Sequence, residues 1–228
     1  MSFNLNHYDK PIRLSLFFIS LLPAIYLLYG YLSNDLGVNP FATLMQVSGH
    51  MAMLFIIVTL AITPLRRWLI RLFRLFSQLR WGKRLSDWNV LIRARRMLGL
   101  YAFFYASIHL WGYCYLEMGF YWEDIYLELM GRYFIIWGVL TWVCLLLLAI
   151  TSPRAIQRRM HAWWRRLHRL MYVLSILAVV HHYLAVKVTD NQPIWYFMLV
   201  FVLLFHRVLV ARVRYLRRHD DTGMEASR

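Results

Sequence analysis

The sequence predicts an all-α membrane protein, a six-transmembrane-helix bundle with both termini cytoplasmic. The chain of 228 residues is 61% hydrophobic with a mean hydropathy of +0.47, whereas soluble domains hold roughly 45–50% apolar residues. It contains six apolar stretches near the ~20 residues that a helix needs to cross about 30 Å of hydrocarbon, at 14–32, 41–63, 97–116, 133–150, 170–186 and 194–213. Its basic residues fall on one side of the bundle those stretches define.

The first stretch follows Lys10 and Arg13 as a signal peptide would, but no small-residue cleavage site stands behind it, which predicts a retained helix. Pro23 should bend it, because proline removes a backbone donor and crowds the preceding turn. The second stretch carries His50. After it, the basic segment 63–96 interleaves arginines with Trp68, Leu69, Leu72, Phe73, Leu75, Phe76 and Trp81, the pattern of an amphipathic helix lying on a membrane surface. The third stretch carries His109 and leads into an acidic loop, 117–128. The fourth is continuously apolar and is followed by the basic segment 152–169. The fifth carries His181 and His182, with His168 at its start, and the sixth carries His206. Short connections make the first and second helices, and the fifth and sixth, antiparallel neighbours.

With the N-terminus inside, all of the 26 Lys and Arg except Arg132 and Lys187 lie on the cytoplasmic side. Asp35, Glu117, Glu123, Asp124, Glu128 and Asp190 lie outside, so the orientation follows the positive-inside rule. Basic segments beside helix ends attract anionic membrane lipid. The net charge of +15 therefore needs no nucleic-acid partner. Cys114 and Cys144 lie inside apolar helices without metal-ligand spacing and read as small buried hydrophobes. No C-x-x-C-H motif is present, so any haem is held by coordination alone.

An ionisable group inside a membrane costs several kcal/mol unless it is paired or used. Here such groups are nearly all histidine, and no carboxylate stands at mid-helix as a proton relay would require. The third and fifth helices both run outward, which puts His109 and His181 at similar depth. Two imidazoles from facing helices make a haem iron an electron carrier by filling both axial positions. His168 lies about 20 Å deeper by the helical rise, a spacing that fits a second haem. Arg96, where a partner for His168 would stand, is instead a donor for a haem propionate or a flavin phosphate. His161 and His206 are the other inner candidates. On an ideal helix His182 shares the face of His168 better than His181 does, so rotation alone leaves the choice between them open.

At Ala61-Ile62-Thr63-Pro64-Leu65, at the arginine run 91–100 leading to His109, at Thr151-Ser152, at Leu167-His168-Arg169-Leu170-Met171-Tyr172, and at His181 with Val186-Lys187, the chain resembles one family. It is the haem-binding membrane subunits of bacterial periplasmic methionine sulfoxide reductase systems, within the ferric-reductase-like transmembrane superfamily. The resemblance implies an inner-membrane cytochrome with one or two b-type haems, and FMN, that passes electrons to a periplasmic molybdopterin-containing reductase repairing oxidised proteins. Its implied donors are the quinone pool or a cytosolic flavin reductase. Its ligand histidines fall on His109, His168 and His181, the last in preference to His182. Where the family has arginine after the glycine at Gly49, this sequence has His50, which keeps helix 2 among the cofactor-binding candidates. A self-contained ferric or oxygen reductase would add dinucleotide-binding motifs, which this sequence lacks. A transporter or assembly factor would use the histidines only as hydrogen-bonding groups.

Overall fold

The computed structural model describes residues 9–75, 89–186 and 191–226. The described chain is helical throughout: α1 (Asp9–Leu32), α2 (Pro40–Leu75), α3 (Asn89–Gly112), a π turn (Tyr113–Glu117), α4 (Trp122–Gly131), α5 (Tyr133–Ile150), α6 (Arg154–Leu167), α7 (Leu170–Ala185) and α8 (Gln192–Ala226). Residues 76–88 of the basic segment, together with Lys187 and Asp190, lie outside the described residues.

Among the described residues, four helices are long and apolar enough to cross a membrane unaided: Lys10–Leu32, Pro40–Leu69, Tyr133–Ile150 and Gln192–Val213. The pair α6 and α7, bent by 52° where they meet, adds a fifth if it counts as one broken span. The expected third span is not among them, because α3 begins with Arg93, Arg95 and Arg96 and carries several polar residues. Yet α3 lies at the centre, packed on α1, α2 and α5, with Ala94, Leu98, Tyr101, Ala102 and Tyr105 buried. A helix shielded by its neighbours needs little lipid-facing apolar surface. Helices α1 and α8 show the converse, with 11% and 6% of their apolar windows buried, so most of their side chains face outward.

Three expectations about boundaries change. Helix α2 does not stop at residue 63 but continues through Pro64 to Leu75. Proline has no N–H to offer the carbonyl four residues back, here that of Leu60. Arg207 of α8 supplies the missing donor, Nη2 to Leu60 O at 2.7 Å. The basic segment 152–169 is not a loop but α6, interrupted at His161, whose φ of 48° and ψ of −115° break the helix. Part of the acidic segment 117–128 is likewise helical, forming the first turns of α4 with Glu123 and Asp124 at its N-terminus, where acidic side chains complement the helix dipole.

Pro23 lies within α1 and is mended in a similar way. The buried Tyr105 hydroxyl donates to Ser20 O at 2.7 Å and accepts from Ala24 N at 3.1 Å, spanning the rung beside the proline. One turn away, Tyr101 donates to Phe17 O at 2.9 Å. Both tyrosine rings stack on Phe55, with centroids 5.5 and 5.6 Å apart, which ties α1, α2 and α3 into one core.

Candidate functional site

Helices α2 and α3 pack closely as one pair, α5 and α7 as another. The interface between the pairs holds His109, from α3, and His181, from α7. Their ring centroids are 6.2 Å apart with planes at 87°. Nδ1 of His109 lies 3.1 Å from Met45 O and 3.3 Å from Ser48 Oγ on α2. Nδ1 of His181 lies 2.7 Å from Phe134 O on α5. A backbone carbonyl only accepts, so both rings carry their hydrogen on Nδ1, and each Nε2 keeps its lone pair.

The two tethers are built alike. Met45 stands four residues before Gly49, and Phe134 four before Gly138. A Cβ on Gly49 would meet the His109 ring at 3.1 Å, and one on Gly138 would meet the His181 ring at 2.8 Å. Each glycine leaves the space into which an imidazole from the neighbouring helix settles, one turn from the carbonyl that holds it. Both glycines are followed fifteen residues later by a proline, Pro64 and Pro153. The glycine in mid-span and its distant proline are visible in the sequence, but their part in holding histidines is not, because it depends on which helices pair.

The separation of the rings is informative. An imidazole nitrogen binds a metal at about 2 Å and lies about 1.2 Å from its ring centre, so the observed 6.2 Å between centres leaves room for one iron that His109 and His181 would hold. Among the described residues no group of three or more His, Cys, Asp or Glu side chains stands together as a metal site.

His182 turns away from this pair. Its ring lies 5.6 Å from that of His50 and 5.3 Å from that of Tyr196. His50 is itself held between Gln46 O at 2.7 Å and Gln192 Oε1 at 2.6 Å. His50 and His182 thus form a separate polar cluster beside the His109–His181 pair.

His168 lies in the turn between α6 and α7, outside both helices. Counting thirteen or fourteen residues along an ideal helix from His168 therefore does not apply, because the chain bends between the two positions. Its ring stacks on Trp164 at 4.0 Å, and its Nε2 is 3.5 Å from Thr151 Oγ1. Trp164 is fixed in turn by its indole N–H donating to Thr151 O at 3.0 Å. No second histidine ring is in contact with that of His168 among the described residues; His161 is exposed and His206 lies on α8. Arg96 is also exposed. Arg95, one residue earlier, is half-buried.

A helical bundle with facing histidines on its central helix and on α7 defines a class of membrane redox protein, and the sequence profile of the ferric reductase like transmembrane component family matches residues 76–179. More narrowly, the chain belongs to the family of protein-methionine-sulfoxide reductase heme-binding subunits. The heme-binding subunit MsrQ of Xanthomonas euvesicatoria pv. vesicatoria is 40% identical over 176 residues, covering 77% of this chain and 73% of that protein. MsrQ of Xanthomonas oryzae pv. oryzae is 40% identical over 172 residues, 75% of this chain and 71% of that protein. MsrQ of Xanthomonas axonopodis pv. citri is 39% identical over 176 residues, with coverage of 77% and 73%. The protein is a multi-pass inner-membrane protein.

Proposed function

We propose that this chain is the haem-carrying, electron-transferring membrane subunit of a methionine sulfoxide reductase system. The observation that carries the reading is the His109–His181 pair, 6.2 Å apart with both Nδ1 atoms tethered to backbone carbonyls. Second-shell hydrogen bonds of this kind orient imidazole ligands and raise their basicity. His109 and His181 would hold a b-type haem through their Nε2 atoms, which the Nδ1 tethers leave free. When bound, the haem would supply one-electron chemistry.

In this reading α3 and the α6–α7 unit are counted with the four self-sufficient spans, which gives six crossings and places both termini in the cytoplasm. Electrons enter from a quinol or a cytosolic flavin reductase, reach the His109–His181 centre, and leave to a periplasmic molybdopterin-containing methionine sulfoxide reductase that repairs oxidised proteins. The relatives' names support the haem and the reductase system. Glu123 and Asp124, exposed at the start of α4, form a negative face toward that partner. FMN is implied by the family resemblance alone.

The test is the visible spectrum and haem content of purified protein. Wild type should show a six-coordinate b-type spectrum that bleaches and recovers with electron flow to the reductase. His109→Ala and His181→Ala should each lose that haem and all partner reduction. Full haem content and activity in both variants would refute the assignment.

A further inference from the structure

Among the described residues, no acid pairs with the arginines of α6. Arg154, Arg158, Arg159, Arg165 and Arg166 fall within its fourteen residues, and the sequence has no Asp or Glu between Glu128 and Asp190. Arg154, Arg158, His161 and Arg165 recur at i, i+4, i+7 and i+11, which is one stripe of a helix, and all four are exposed. On a straight helix such a stripe is a solvated ridge. Here the helix breaks at His161, where φ is 48° and ψ is −115°. That backbone is strained for any residue but glycine, and it persists only where the surrounding structure holds it.

Residues from both sides of the break line one cavity of about 840 Å³: Arg154, Gln157 and Arg158 before His161, Trp164 and Arg165 after it. Small-molecule sites run from about 300 to 1,000 Å³. Among the described residues, the three lining guanidiniums make a single hydrogen bond, from Arg158 Nε to Arg154 O at 3.4 Å, so their Nη atoms are available to a ligand. Arg166, by contrast, lies over the Trp163 ring at 4.9 Å, and Arg159 is not part of the lining. The floor of the cleft is fixed. Trp164 donates its indole N–H to Thr151 O at 3.0 Å, one residue past the apolar span that ends at Ile150, so the cleft stands where that span meets the membrane surface.

We propose that this cleft binds the headgroup phosphate of an anionic phospholipid, one per chain, with Arg154, Arg158 and Arg165 as its donors. The planar fork of guanidinium matches phosphate oxygens, and a headgroup with net negative charge complements three cations better than a zwitterionic one. Position selects a lipid over a soluble phosphate. The exposed Trp163 beside the cleft is of a type that settles at headgroup level, and basic pockets at span ends take anionic headgroups. Unlike the general attraction of basic segments to membranes, the site assigns the effect to three of the five arginines. It requires no haem. Trp164 also stacks on His168, so an occupied cleft braces the turn that carries that histidine.

Full-length protein, delipidated in neutral detergent, is titrated with phosphatidylglycerol and with phosphatidylcholine, and bound lipid is counted by native mass spectrometry. Wild type should retain one phosphatidylglycerol, prefer it over phosphatidylcholine at least tenfold, and melt at a higher temperature with it bound. Arg154→Gln, Arg158→Gln and Arg165→Gln should each lower that affinity at least fivefold and lose the rise in melting temperature. Arg159→Gln and Arg166→Gln should stay within twofold of wild type. All five changes fall on exposed side chains, and far-ultraviolet circular dichroism checks the helix content of each variant. Equal loss across the five would mean diffuse surface attraction and would overturn the site, as would equal retention of the two lipids by wild type. Flavin mononucleotide and inorganic phosphate serve as competitors. Displacement of the lipid by either at equal concentration would assign the cleft to a soluble phosphate and overturn the lipid.

Discussion

Helix pair α2–α3 and helix pair α5–α7 are variations on one plan, and they diverge at the ends that hold the prolines. In both, a glycine admits an imidazole from the partner helix and the carbonyl one turn earlier holds its Nδ1. In both, a proline follows fifteen residues after the glycine. Helix α2 passes through Pro64 and runs to Leu75, whereas α5 ends at Ile150 just before Pro153. The carbonyl that Pro64 leaves open is taken by Arg207 from across the bundle, and the one that Pro153 leaves open, on Ala149, is taken locally by Ser152 N in a turn at 3.1 Å. The same residue thus continues or ends a helix according to where the replacement donor comes from. The proline ends also differ in chemistry: His168 stands on the α7 side, while α3 answers with arginine.

The likeness at the glycine ends is broken most severely at Gly138. Gly138→Ala should displace the His181 ring, since the new Cβ would stand 2.8 Å from it, and haem content should fall at least tenfold. Gly49→Ala, at 3.1 Å, should lower it a few-fold. Haemochrome counting on both would show whether the two cradles are equivalent.

The difference at the proline ends is sharpened by Arg207→Leu. Leaving the buried Leu60 carbonyl and Tyr172 hydroxyl unpaired should cost about 1–3 kcal/mol for each group, read as a lower melting temperature in detergent. Pro64→Ala in the same background should recover part of the loss, because alanine at 64 restores the helical donor to Leu60. A double-mutant cycle with no coupling between positions 64 and 207 would remove this account. Tyr105→Phe removes the bridge beside Pro23 and should cost about 1–3 kcal/mol, with haem content unchanged. The smallest effect is expected at His50. His50→Ala lies outside the tethered pair and should leave the haem spectrum intact, shifting reduction by the donor at most a few-fold.

Much of this architecture is legible in the residues alone, and the parts that are not share a cause. The first and fourth apolar stretches, 14–32 and 133–150, reappear within α1 and α5 almost residue for residue, because uninterrupted apolar runs with charged or turn-forming flanks admit few alternatives. Depth and helix direction bring His109 and His181 to one level. Helix α2 is longer than the sequence indicates because its missing donor comes from 147 residues away. Arg207 reads as one more cytoplasmic charge until α8 is seen packed against α2 and α7. That Arg95 is half-buried and Arg96 exposed depends on the rotational phase of α3, which a run of arginines does not specify. His181 differs from His182 through the glycine opposite it on α5, a neighbour that periodicity within one helix cannot reveal.

The link between Arg207 and Leu60 also bears on the order in which the protein is made. Helix α2 reaches the lipid early in synthesis with one carbonyl that no residue of its own can satisfy, and the side chain that completes it arrives only with the last span. Until then that carbonyl must rely on stray water or the translocation machinery, since hydrocarbon offers no substitute. Shortening the chain before residue 207 should therefore do more than remove a peripheral helix. It should leave an early segment arrested at its proline, and a half-built protein exposed to quality-control proteolysis.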